Sequence, residues 1–302
     1  MSHVYFAAYI PGFGTTTQEI KACNRKILSN AISALETLCP ELEFVTLQTG
    51  GKYYGVEFPE HLTFTVPFKE SMPRIPEPYA SDVFYYAQID VMREMCKGKK
   101  WQWADIRPDA IIGFVPNNNA MNLSQPLAVF LSLYREVHGQ GAEVSFPGSE
   151  ASFKAKHTDT SQDILARFTI YASLHSDKTA GKAFNIGNAD ECVSWSSVWP
   201  GICEYFGLVG KGPDPSQASP DGGEWVKKHQ CQWDDLVKKN GLKEKTVQRS
   251  SWDFMAWLTQ RSGFDRQYDL ELIRSVGFLE QIDTVKGYHI AFQRMREAKV
   301  IP

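Results

Sequence analysis

Nowhere in the 302 residues does an apolar run approach the roughly 20 positions that a membrane-spanning helix needs. The opening Met1-Ser2-His3-Val4-Tyr5 lacks the charged start and cleavage site of a secretory leader. No basic stripe is present either. The densest clusters are Lys97 with Lys99 and Lys100, and Lys238 with Lys239, and the net charge is −3. That balance excludes nucleic acid and an anionic membrane as principal partners. No C-x-x-C pair or zinc-like His/Cys spacing occurs, so no metal site is expected. The six cysteines (Cys23, Cys39, Cys96, Cys192, Cys203, Cys231) lie far apart, mostly among apolar neighbours in helix-like segments. They are expected to be buried free thiols in a reducing compartment, which makes a cytoplasmic protein the default. Internal repeats are absent as well.

Hydrophobic residues make up 43% of the chain and charged residues 22%, a balance that supports a sizeable core in one large or two modest domains. His3 to Tyr9 is β-branched and aromatic enough for a buried strand. Thr16 with Glu19 forms a capping box, after which Ile20, Cys23, Ile27, Ala31, Leu35 and Leu38 recur at helical spacing. Phe44 to Leu47 predicts a second strand that ends in the turn Thr49-Gly50-Gly51. From Pro59 to Pro78 breakers are too frequent for regular structure, a pattern common in functional loops. Further on, the spacing predicts helices at Phe84 to Cys96, Leu127 to Val137 and Asp163 to His175, and strands at Trp101 to Ile106, Glu143 to Phe146 and Ala183 to Ile186. The remainder reads as helical at Ser194 to Phe206, Glu224 to Lys239, Ser251 to Thr259 and Val285 to Ala298. Between these, Gly210 to Gly223 has the composition of a mobile loop. Trp195, Trp199, Trp252, Trp257 and Phe292 could line an apolar pocket or simply fill the core.

Strand and helix alternate up to about residue 115, which implies an α/β fold with a doubly wound parallel sheet and right-handed crossovers. The helix-rich remainder, 116–302, reads as a smaller substrate-binding lobe with some elements returning to the sheet. Gly12 and Gly14 follow the first strand, but the third position of a dinucleotide fingerprint holds Thr17, and no acidic residue ends the next strand. An ordinary loop is the expectation there, and no turn able to cradle a pyrophosphate is found in the chain.

Ligands of parallel sheets bind outside the carboxyl ends of the strands. Gln48 to Lys52 leaves the second strand, Pro108 to Phe114 leaves the third, and Phe84-Tyr85-Tyr86 opens the helix between them. A phenol with a pKa near 10 polarises a carbonyl efficiently only beside a cation, and Lys52 could supply one. Taken alone, the two residues read better as a core tyrosine and a surface lysine.

The blocks Leu47 to Gly55, Phe84-Tyr85-Tyr86 and Arg107-Pro108 with Ile111 to Phe114, then Phe146 to Ser149, Ala183 to Asn188 and Trp195, occur in this order. They resemble the family of progesterone 5β-reductase and iridoid synthase, atypical extended short-chain dehydrogenase/reductases. The resemblance implies a Rossmann-like nucleotide-binding domain over residues 1–115. It also implies NADPH as cofactor, hydride addition to an enone or carbonyl, and a small hydrophobic natural product as substrate. Such a substrate belongs to secondary-metabolite synthesis, toxins included. Carried over, Tyr85 stabilises the enolate or alkoxide oxygen, and Lys52 supports its hydrogen-bond network, while Tyr86 is the neighbour most easily confused with Tyr85. Ala8 and Tyr9 match a strand end near the cofactor's ribose, Gln48 and Thr49 the nicotinamide side, and Pro108 and Ile111 the segment that meets its carboxamide.

Two departures qualify the likeness. The family often has Thr-Trp where this chain has Ala8-Tyr9. The family's glycine-rich turn also precedes the strand that matches His3 to Tyr9, which implies an absent portion on the order of 70 to 90 residues and apolar sheet surface left uncovered. A cofactor-free relative acting as a binding protein, lyase or cyclase, or an inactive truncated reductase, is therefore the alternative.

Overall fold

The computed structural model describes residues 1–10, 16–214 and 221–302, arranged in two compact units. The first unit comprises Met1–Asp109, Ile164–Gly187 and Tyr268–Glu280. Its centre is a four-stranded sheet of β1 (His3–Phe6), β2 (Phe44–Gln48), β3 (Gln102–Pro108) and β4 (Ala183–Ile186), in that spatial order. All three pairings are parallel, with His3 opposite Phe44, Phe44 opposite Gln102 and Asp105 opposite Ala183. This is the expected Rossmann-type α/β sheet. Parallel neighbours need crossovers, and the helices α1 (Thr17–Leu38) and α2 (Phe84–Cys96) supply them and pack on each other. A further helix, α3 (Gln162–Leu174), precedes β4 and sets Phe168 against Phe184 and Phe278.

The capping box at Thr16 and Glu19 is formed and starts α1. Inside that helix Asn24 is fully buried, and its amide accepts from the Ile10 N–H at 2.8 Å and donates to the Ile10 carbonyl at 2.9 Å. This clamp turns the chain after β1, so the strand ends at Phe6 rather than at the expected Tyr9. Tyr5 is 47% exposed on this edge strand, and Ile170 and Leu174 are exposed on α3.

The second unit comprises Ala110–Asp163, Asn188–Gln267 and Gln281–Pro302. It is mainly helical, and matches the first in size rather than being the smaller. Helices Ser124–His138, Trp195–Glu204 and Thr284–Glu297 surround a core that includes Phe146, Trp195, Trp199, Trp233 and Phe292, each at most 2% exposed. The large aromatics Trp195, Trp199 and Phe292 are thus core, with Trp252 and Trp257 partly buried against it. The helix expected over Glu224 to Lys239 is broken at His229 into Gly222–Lys228 and Gln230–Asn240.

All six cysteines are free, but only Cys203 is buried, and Cys23 and Cys231 are exposed. The expectation of buried thiols fails for most of them: Cys23 and Cys231 lie on exposed helix positions, and Cys39 and Cys192 lie outside the helices. Among the described residues no helix is long and apolar enough to cross a membrane, and no group of three His, Cys, Asp or Glu side chains could hold a metal. Gly12 and Gly14, and much of the Gly210–Gly223 loop, lie outside the described residues.

Candidate active site

In β3, Asp105 and Arg107 are two positions apart, so they share one face of the strand. Both are buried, and Arg107 Nε donates to Asp105 Oδ2 at 2.7 Å. The other carboxylate oxygen accepts from the Thr49 hydroxyl at 2.6 Å, which fixes the carboxyl end of β2. Burial is the strongest single influence on Arg107 and would weaken its charge, but the Asp105 carboxylate together with Tyr54 and Tyr53 outweighs it and holds the guanidinium above its ordinary pKa. The guanidinium lies 3.4 Å from the centre of the Tyr53 ring and donates to the Tyr54 hydroxyl at 3.4 Å. Tyr54 donates in turn to Asn185 Oδ1 at 2.6 Å, and Asn185 donates to the Phe68 carbonyl at 2.8 Å. A chain of satisfied polar groups thus ties β2, β3 and β4 to the proline-rich loop.

Gly50 follows β2 with φ of 154°. A Cβ there would stand 3.1 Å from the Pro108 carbonyl oxygen and 3.8 Å from the Tyr85 hydroxyl. Only glycine lets the chain pass so close while holding a positive φ. The bare backbone therefore brings Tyr85, at the start of α2, beside the carboxyl ends of β2 and β3.

The consecutive tyrosines have different partners. Tyr86 donates to the Tyr53 carbonyl at 2.6 Å and accepts from the Ile75 N–H at 3.0 Å, so its hydroxyl is spent on anchoring the loop. Tyr85 is 6% exposed, yet no hydrogen bond bears on its phenol among the described residues. Burial first, and then the Glu57 charge, push its pKa up, so it stays protonated across the neutral range.

Lys52 sits in the short 3-10 turn Gly51–Tyr54, and its ammonium is bound by Glu57 Oε1 at 2.6 Å. The expected direct support of Tyr85 by Lys52 is not among the hydrogen bonds, because Glu57 takes the ammonium. The two residues meet through Phe84: the ammonium lies 6.0 Å from its ring centre, and Tyr85 lies 4.5 Å from it, ring to ring. Tyr9 stacks on the same ring at 5.9 Å and 7°. Tyr9 is also raised in pKa by burial, with Lys52 lowering it and Glu57 raising it.

Of the sequence-predicted residues, Tyr9, Thr49, Lys52, Tyr85 and Pro108 gather around Gly50 and Phe84. Gln48 is half-buried at the end of β2, and Ala8 is exposed beyond β1. Ile111 belongs to the second unit, where it pairs with Thr160 in a two-residue strand. Sequence reasoning missed Glu57, Asp105 and Asn24. Asp105 carried a legible signal, since two charges alternating within an apolar strand must be paired with something.

A bare glycine backbone under an unspent phenol fits the nicotinamide end of a dinucleotide, with Gln48, Thr49 and Pro108 at its edge. The described residues include no glycine-rich turn for the pyrophosphate.

The sequence profile described as a PRISE-like Rossmann-fold domain matches residues 1–302. The short chain dehydrogenase ausT of Aspergillus calidoustus is 35% identical over 309 residues, covering 100% of this chain and 75% of that protein. The 3-oxo-Delta(4,5)-steroid 5-beta-reductase of Arabidopsis thaliana is 29% identical over 256 residues, covering 82% of this chain and 61% of that protein. Among solved structures, UDP-glucuronic acid 4-epimerase of Bacillus cereus in complex with NAD gives a TM-score of 0.58 at 13% identity, covering 98% of this chain and 75% of that one. At that identity the likeness speaks to the fold alone.

Proposed function

Because the chain belongs to the PRISE-like Rossmann-fold family and is a short-chain dehydrogenase/reductase, we propose that it is an NADPH-dependent reductase of a small hydrophobic natural product. The bond reduced is an enone C=C or a carbonyl, as a step of secondary-metabolite synthesis in the cytoplasm. The observation that carries this reading is the contrast between the two tyrosines: Tyr86 is consumed by the loop, while Tyr85 keeps a protonated hydroxyl free beside Gly50.

When bound, a reduced nicotinamide supplies the hydride, and Gln48, Thr49, Tyr9 and Pro108 are the residues of this unit that would hold it. The substrate's oxygen gains negative charge as the hydride arrives, and the Tyr85 hydroxyl hydrogen-bonds to it there. Its raised pKa keeps the proton available for that bond. Lys52 stands at the rim of the same cluster, its ammonium paired with Glu57 and lying toward the Phe84 ring that Tyr85 packs on. The Asp105–Arg107–Thr49 chain keeps the ends of β2 and β3 fixed, so that the reacting groups need little reorganisation.

The test is NADPH binding by fluorescence together with NADPH consumption on a generic enone, 2-cyclohexen-1-one. Tyr85→Phe should lose about 10²- to 10³-fold in kcat while binding NADPH as before. Normal turnover by that variant would remove Tyr85 from the chemistry, and a protein with no NADPH affinity would favour the cofactor-free alternative.

A further inference from the structure

Glu57 lies five residues beyond Lys52, after Gly55 reverses the chain with φ of 78°. Its carboxylate holds the Lys52 ammonium at 2.6 Å, with side-chain exposures of 38% and 28% respectively. The ammonium stands 6.0 Å from the centre of Phe84, whose ring also carries Tyr9 and Tyr85 at 5.9 and 4.5 Å. One ring therefore brings together two phenols and an ion pair. We propose that Glu57 is a positioning residue for the reduction, holding Lys52 against Phe84 so that the two phenols face a paired ammonium and carboxylate rather than a lone cation. The proposal rests on the reading of Tyr85 and Lys52 given above and extends it.

The physical reason is the sign of the charge. A lone ammonium beside a phenol favours the phenolate, and Lys52 acts in that sense on Tyr9. Glu57 acts in the opposite sense on both phenols: after burial it is the leading influence that raises Tyr85, and it counters Lys52 at Tyr9. The other groups bearing on Tyr85 are Tyr9 itself and Asp105, whose charge is already matched by Arg107. Of the two carboxylates, Glu57 is thus the one paired with the functional lysine. Because both members of the pair reach solvent, its loss should leave the fold intact.

The experiment uses the whole protein, its Glu57→Gln and Glu57→Asp variants, and the double variant Lys52→Met/Glu57→Gln. The pH profile of NADPH-dependent reduction of 2-cyclohexen-1-one should show no alkaline fall for the parent below its unfolding range. In Glu57→Gln an alkaline fall should appear within the accessible range, below any seen in the parent. Glu57→Asp should restore the parent profile in part, and removing both charges should move the fall back up. A second readout needs no turnover: the ultraviolet phenolate titration of Tyr9, isolated by subtracting the Tyr9→Phe counterpart, should also shift to lower pH in Glu57→Gln. If Tyr9 ionises where it does in the parent and the profile is unmoved, Glu57 is an ordinary surface carboxylate and the proposal falls. If Tyr9 shifts but the parent neither binds NADPH nor turns over, the reductase reading fails while the electrostatic role of Glu57 stands.

Discussion

The strand ends of the first unit and the ring core of the second are packed differently, although the second unit buries polar side chains as well, His157, Asp159 and Arg266 among them. The first fills the space around its strand ends with polar groups: Thr49, Asp105, Arg107 and Asn185 are each at most 4% exposed and bonded in one chain. The second fills its centre with rings, Trp195, Trp199, Trp233 and Phe292 among them. Hydrogen bonds are directional and lose most of their value when misplaced, whereas apolar packing mainly requires volume. A region that must hold reacting groups in fixed positions gains from the first kind of interior. One that must only be compact can use the second.

The comparison breaks most readily at Asp105. Asp105→Ala leaves Arg107 buried and unpaired, and should cost about 3–5 kcal/mol, read as a fall in the urea midpoint. A loss below about 1 kcal/mol would mean that the network does not hold the strand ends. Trp199→Ala should cost a similar 3–5 kcal/mol, roughly, through a cavity rather than a charge. Volume-conserving swaps separate the two interiors: Leu127→Met in the second unit should cost below about 1.5 kcal/mol, while Asp105→Leu stays severe. Next in size, Tyr86→Phe removes the hydroxyl that bridges Tyr53 and Ile75, a loss of about 1–3 kcal/mol that limited proteolysis should register within residues 56–82. Unlike Tyr85→Phe, it should leave the chemical step of the surviving folded protein largely intact. Smallest is Arg74→Ala, worth within about 1 kcal/mol because the pair with Asp90 is 35% and 54% exposed. The Arg74 hydrogen bond lowers the Asp90 pKa, so this contribution is present above the unfolded carboxylate range and is lost as pH falls through the folded value. The difference between parent and Arg74→Ala should therefore close in acid.

Local chemistry made much of the first unit legible. Phe84 to Cys96 and Ala183 to Ile186 form the expected elements with the expected ends, and the Thr16 capping box is in place. These depend on periodicity and on side chains a few residues apart. The two-residue strands of the second unit were not legible, because Ile111 meets Thr160, and Lys156 meets Ser194, only through long-range pairing. That some later elements return to the first unit was expected, but that 268–280 is among them was not legible. The family resemblance brought Lys52 and Tyr85 forward but not the partners that decide their behaviour. Nothing in a linear sequence says that a carboxylate past a left-handed glycine folds back onto a lysine, or that Asn24 ends β1 early by gripping Ile10.

The adjacency of Tyr85 and Tyr86 has a consequence for how this site can change. Successive residues on a helix point about 100° apart, so one phenol reaches the strand ends while its neighbour reaches the loop. The phase of a single turn assigns the two duties. Inserting or deleting one residue between Val83 and Tyr85 would rotate that assignment, handing the reactive direction to a different side chain and releasing the loop in the same event. Drift at this spot should therefore proceed by replacement of side chains and hardly ever by changes of length.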